Sequence, residues 1–193
     1  MMGGLMRAAR FVSKSGAAFL LAALIVFSLP GHTQEVPSAE YRIKAAFLYH
    51  FCNYIDWPPS AFKSDDSPLL IGIAAPQEIV NQMRQSIEGR TARGRPVVIR
   101  AIQPGDSLET LHVIYITEPM NARRFGITAL SPRPILVVTE DDDGFAAGSV
   151  INFVIEDDRV RFDIAPHAAR ERNLHVGAQL LTAARNIRGN NGR

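Results

Sequence analysis

Residues 69–89 read LLIGIAAPQEIVNQMRQSIEG, and the join inside that stretch sets the fold. LLIGIAA is a continuous apolar run without alternation, the pattern of a strand buried on both faces of a parallel sheet. Pro76 opens the segment that follows and Gly89 closes it, an asymmetry that helices prefer. Further apolar runs come at PVVIRAI (96–102), HVIYIT (112–117) and PILVVTE (134–140), with ARRFGITAL (122–130) predicted as a short helix between the last two. Strands of this kind alternating with helices imply an α/β fold, a mostly parallel sheet covered by helices on both faces.

The pattern changes toward the C-terminus. VINFVIEDDRVRFDIA (150–165) holds two alternating runs around Glu156, Asp157 and Asp158, which predicts an antiparallel hairpin. Ile151, Phe153 and Ile155 share one face of its first strand, and Val160, Phe162 and Ile164 one face of its second. A final helix is expected over 166–188, with Leu174, Ala178, Leu181 and Ala184 near one side. At the other end, Tyr41, Ile43, Ala45, Phe47, Leu48, Phe51, Cys52, Tyr54 and Ile55 fall on one broad arc of a helical wheel. This first helix ends at Trp57-Pro58-Pro59, because a residue before proline leaves the α region.

The first residues read differently. Arg7, Arg10 and Lys14 precede an apolar run over 16–29, closed by Pro30 and Gly31. A basic flank and a run too short for the ~20 residues of a membrane span describe a secretory signal peptide, with an uncleaved anchor as the alternative. We expect it over 1–33, with the cut falling as late as residue 39, then one domain over 39–188 and a disordered tail over 189–193. The chain carries 21 basic and 19 acidic residues; without 1–33 the balance is 18 to 19. A nearly neutral exported chain has no electrostatic footprint for nucleic acid. Cys52 stands alone, so no internal disulfide forms and the fold is held by packing.

Several chemistries fail on spacing. GIAAPQEI lacks the glycines of a dinucleotide loop, and no lysine-hydroxyl pair follows a strand as in a P-loop. A phospho-receiver needs acidic residues after its first strand and an aspartate after its third, where this chain has AAPQ and ITEP. Glu140-Asp141-Asp142-Asp143-Gly144 fits no calcium loop at either end and reads as a solvated acidic loop. The histidines are too scattered for zinc, and no nucleophile elbow is present. We expect no enzyme activity, no metal and no cofactor.

Two residues break the local pattern. Lys44 falls within the apolar arc of the first helix, where its ammonium either snorkels to water or meets a carboxylate in a cleft. Asp163 is the acid nominated for that pairing. Trp57 either anchors the helix end in the core or sits at a cleft rim with its indole N–H available.

Taken together, YRIKAAFLYHFCNYIDWPPSAF (41–62), LLIGIA, RPVVIR, HVIYIT, PILVVTEDDDGFAAGSVINFVIEDDRVRFDIA (134–165) and LHVGAQLLTAAR (174–185) resemble the YfiR/HmsC-like family of periplasmic regulators. The resemblance implies an exported α/β domain that performs no chemistry. It implies a repressor that binds the periplasmic sensor region of an inner-membrane diguanylate cyclase, limiting cyclic di-GMP and biofilm formation. An outer-membrane lipoprotein is a further implied partner. The sequence departs from the family where Gly148-Ser149-Val150 stands in place of Gly-Gly-Met, and in having one cysteine where some members have pairs. A second reading remains open, a periplasmic small-molecule-binding module that signals to a kinase or transport system. An unpaired strand edge and an apolar final helix point to a homodimer. The working surface is expected on the C-terminal hairpin and the helix after it, with Asn152, Phe153, Arg161, Asp163 and Arg170 as binding residues beside Lys44 and Trp57.

Overall fold

Apolar runs that cannot face water on either side become the interior strands of one twisted sheet. The computed structural model describes residues 39–130 and 132–189; the expected signal peptide and all of the expected tail beyond Gly189 lie outside them. The chain runs α1 (Ala39–Tyr54), β1 (Ile55–Asp56), β2 (Leu69–Ala74), α2 (Gln77–Ile87), β3 (Thr91–Ala92), β4 (Arg95–Ala101), β5 (Val113–Ile116) and β6 (Leu136–Thr139). It continues with β7 (Ile151–Glu156), β8 (Arg159–Ile164), α3 (Pro166–Glu171), β9 (His175–Val176), α4 (Ala178–Ala183) and β10 (Asn186–Ile187). The large sheet has the order β10-β8-β7-β6-β5-β2-β4-β3. From β4 to β7 every neighbouring pair is parallel. The β7–β8 hairpin is antiparallel, and β10 returns parallel to β8. No helix among the described residues is long and apolar enough to cross a membrane.

Each face of the sheet has its own core. On one, α1 and α2 pack Leu48, Phe51, Val80 and Met83 against Ile71, Ile73, Tyr115 and Val138. On the other, Ile114, Ile116 and Val137 are covered by Ala122, Phe125 and Ile127. The predicted helix over 122–130 is two 3-10 turns, Ala122–Phe125 and Ile127–Leu130, with Gly126 between them. Arg172, which nothing in the sequence singled out, ties this cover down. Its buried guanidinium donates to the carbonyls of Ile127 and Gly148 at 2.9 and 3.0 Å.

The hairpin turns through Asp157 and Asp158, both at positive φ, as a two-residue turn of the twist-compatible kind requires. Phe153 and Phe162 stand opposite each other and join Phe47 and Phe51 in an aromatic cluster. Ile155, expected on the same buried face, is 54% exposed, because β7 runs on past the end of its neighbour β6, which pairs only as far as Asn152.

The helix expected over 166–188 is divided. Asn173 adopts the left-handed conformation at φ 56° and ends α3. Gly177 then passes so close to α1 that a Cβ there would lie 2.8 Å from the Tyr54 carbonyl, to which the Gly177 amide donates. Between these two points β9 pairs with β1, clipping the C-terminal segment to the end of α1. The buried arc of α1 is also narrower than the wheel suggests. Phe51 and Cys52 are fully buried, while Ile43 and Tyr54 are 45% and 38% exposed, since no element among the described residues covers the margins of the apolar stripe.

Candidate functional site

Parallel strands carry side chains to one common margin, and in open α/β sheets ligands bind beyond the C-terminal ends of the strands. Here the first turns of α1 lie over that margin. Glu40, Tyr41 and Lys44 face Glu118, two residues past the end of β5, and Glu140, directly after β6, across a cleft of about 550 Å³. The overhanging part of β7 forms its far wall.

Lys44 sits at the centre of the charge arrangement, 3% exposed. Its Nζ meets Glu140 Oε2 at 2.5 Å and also pairs with Glu40, one helical turn earlier. Tyr115 donates its hydroxyl to the same Glu140 oxygen at 2.5 Å, and the backbone amide of Glu118 donates to the other at 3.2 Å. Burial pulls the Lys44 ammonium down, but Glu140 and Glu40 together outweigh it and hold the group above the ordinary lysine value. Burial, then the adjacent Glu140 charge, pushes the Tyr115 phenol well up. The lysine therefore stays charged and the tyrosine stays protonated. With three donors on its two oxygens, Glu140 is a fixed anchor for α1 and for the ends of β5 and β6.

Asp163 does not meet Lys44. It faces away from α1, on the opposite side of the sheet from Phe153 and Phe162, and it is 1% exposed. Arg185 Nε and Nη2 hold its two oxygens, each at 2.8 Å, and Arg188 adds a contact at 3.3 Å. This fork is the geometry in which a guanidinium recognises a carboxylate most strongly. Burial raises the Asp163 carboxyl, but the two arginines more than offset it and hold it below the usual carboxylate range. Both arginines flank β10, so the ion pairs fasten that two-residue strand to β8.

Asn152 stands opposite Asp163 in the hairpin register and accepts a 2.6 Å hydrogen bond from Thr139. The acidic loop folds over this pair. A Cβ at Gly144 would lie 2.1 Å from Thr139 Oγ1 and 2.6 Å from Asn152 Oδ1, so only glycine fits the approach. Asp142 and Asp143 of that loop are solvated as expected, but the Glu140 side chain, 8% exposed, is not.

Of the residues expected to bind, Lys44, Asn152, Phe153 and Asp163 line the one cleft. Arg161 and Arg170 are exposed on β8 and α3. Trp57 lies elsewhere, packed on the core with its indole N–H donated to the carbonyl of His112, at the N-terminal end of β5. Glu140, Tyr115, Arg185 and Arg188 escaped the sequence reading. Only Glu140 left a signal there, as a carboxylate immediately after a buried strand.

The fold and cleft define a class: an α/β domain whose sheet margin is a fixed array of buried ion pairs. A family model described as YfiR/HmsC-like matches residues 41–185, from the first turn of α1 to the arginine that grips Asp163. The chain belongs to the YfiR/HmsC-like family, a family of periplasmic, non-catalytic regulators of diguanylate cyclases. A search among curated proteins finds no match.

Proposed function

We propose that this protein represses an inner-membrane diguanylate cyclase by binding its periplasmic sensor region, and so limits cyclic di-GMP synthesis and biofilm formation. Family membership supplies the class of partner. The observation that carries the surface is the overhanging wall of β7, where Ile155 is 54% exposed at the edge of the cleft. Across the cleft the carboxylates of Glu118 and Asp142 are exposed. An apolar anchor beside a charged rim is the usual anatomy of a protein interface. Arg161, on the opposite face of the hairpin from Ile155, and Arg170, exposed on α3, are further contacts in this reading. Asn152, Phe153 and Asp163 support it from beneath.

The test is to express the protein with each membrane diguanylate cyclase of its own cell in turn and to measure cyclic di-GMP. Loss of the protein should raise the level for its cognate cyclase. Ile155→Asp, exposed and free to change without disturbing the core, should raise it as much while leaving thermal stability unchanged. Unaltered cyclic di-GMP on deletion, with every cyclase present, would end the repressor reading. Full repression by Ile155→Asp would move the contact surface elsewhere.

A further inference from the structure

Beyond the cleft, Phe145 and Arg188 also line a second cavity of about 520 Å³, between the loop that precedes β7, α3 and β10. Ser149 and His167 face it from the loop and from α3. Ser149 is 1% exposed, yet its hydroxyl has no hydrogen-bond partner among the described residues, and neither has the buried Nδ1 of His167. Buried polar atoms are nearly always satisfied, and leaving one unpaired is costly. Two on the walls of one cavity therefore point to something polar inside it.

The other walls say what kind of molecule that is. The Arg188 guanidinium lies over the Phe145 ring, 5.2 Å from its centroid, and gives one nitrogen to Asp163 at 3.3 Å. A guanidinium has five N–H donors, so others remain for the cavity mouth. A fixed cation beside a buried hydroxyl donor suits a carboxylate, while Phe145 and Ile187 offer apolar surface to whatever the carboxylate carries. We propose that this cavity binds a small organic anion through its carboxylate, held by Arg188 and the Ser149 hydroxyl. His167 Nδ1, in the tautomer that carries its proton, donates to the second carboxylate oxygen. The inference goes beyond the regulatory reading and stands whether or not a cyclase is the partner.

The test uses the purified protein and amide NMR. Benzoate and butyrate are titrated against benzyl alcohol, butanol and inorganic phosphate. Saturable shifts at Ser149, Ala165 and Ala168 are expected with the carboxylates alone. Arg188→Gln should weaken benzoate or butyrate binding about tenfold, the size of a lost charge-assisted hydrogen bond. Ser149→Ala, a small change that keeps the fold intact, should weaken it severalfold, and Arg84→Gln, distant on α2, should leave it unchanged. No saturable shift, equal binding of the alcohols, or undiminished binding by a folded Ser149→Ala would overturn the proposal. Phosphate binding as tightly as the carboxylates would overturn the assignment to an organic anion.

Discussion

Lys44 Nζ and Glu140 Oε2 stand 2.5 Å apart although 96 positions separate the residues in sequence. The contact ties α1 to the end of β6, and removing one partner leaves the other charge nearly buried. Lys44→Met should therefore cost about 3–5 kcal/mol, the penalty for breaking a buried pair, whereas Lys44→Met with Glu140→Gln should cost clearly less. Urea unfolding of the two single variants and the double variant measures the coupling; strictly additive losses would refute it.

The same cluster sets an alkaline limit. Lys44 holds its proton more tightly when folded than when unfolded, and so does Tyr115. The unfolded chain thus releases those protons first, and stability should fall as the pH rises above about 10. Tyr115→Phe, which removes one of the two groups, should make that fall shallower in thermal melts.

Asp163 acts at the opposite limit. Its folded carboxyl is held below the ordinary range, so its contribution is complete above the unfolded value and is lost as the pH falls below about 4. Asp163→Asn should flatten that acid slope. Arg185→Ala at neutral pH should cost roughly 3 kcal/mol by leaving a buried carboxylate with Arg188 alone.

His112 adds a transition nearer neutrality. Its Nδ1 accepts from the Leu70 amide at 3.1 Å and its Nε2 faces the Ala61 carbonyl at 3.1 Å. Burial is the main cause that depresses its pKa, with Arg95 adding to it against the Ala61 carbonyl. The unfolded histidine takes up a proton first, so stability should decline as the pH drops below about 6.5. His112→Gln should weaken that decline; an unchanged slope would remove His112 as its source.

Gly144→Ala tests the folded-over acidic loop. The new methyl would collide with Thr139 and Asn152 side chains, and overpacking of this kind costs about 1–3 kcal/mol. Calorimetry should show the loss, with amide shifts confined to the loop and the adjoining ends of β6 and β7.

Much of this architecture was legible because burial leaves a mark on sequence. The runs at 69–75, 96–102, 112–117 and 134–140 each hold a strand, and the turn at Asp157-Asp158 lies where the charged pair interrupts two alternating runs. What escaped depends on contacts between distant segments. Apolar spacing continues through 166–188, so nothing local shows that Gly177 must pass against Tyr54 and break the helix. Lys44 announced an unusual burial, but its partner was decided by where β6 ends, and Asp163, the acid chosen from sequence, points to the other face. Arg185 and Arg188 look like ordinary exposed residues at the end of a helix until β10 turns them onto Asp163.

That last contact bears on how the molecule behaves in a crowd. The large sheet ends on β10 at one margin and β3 at the other, each two residues long, too short to template another chain. Inside β10 lies β8, six residues long and paired with it over only two. Arg185 and Arg188 are thus guards against misassembly as well as structural ties: releasing their hold on Asp163 would bare more of β8 and invite strand-to-strand aggregation of a domain that had not yet unfolded.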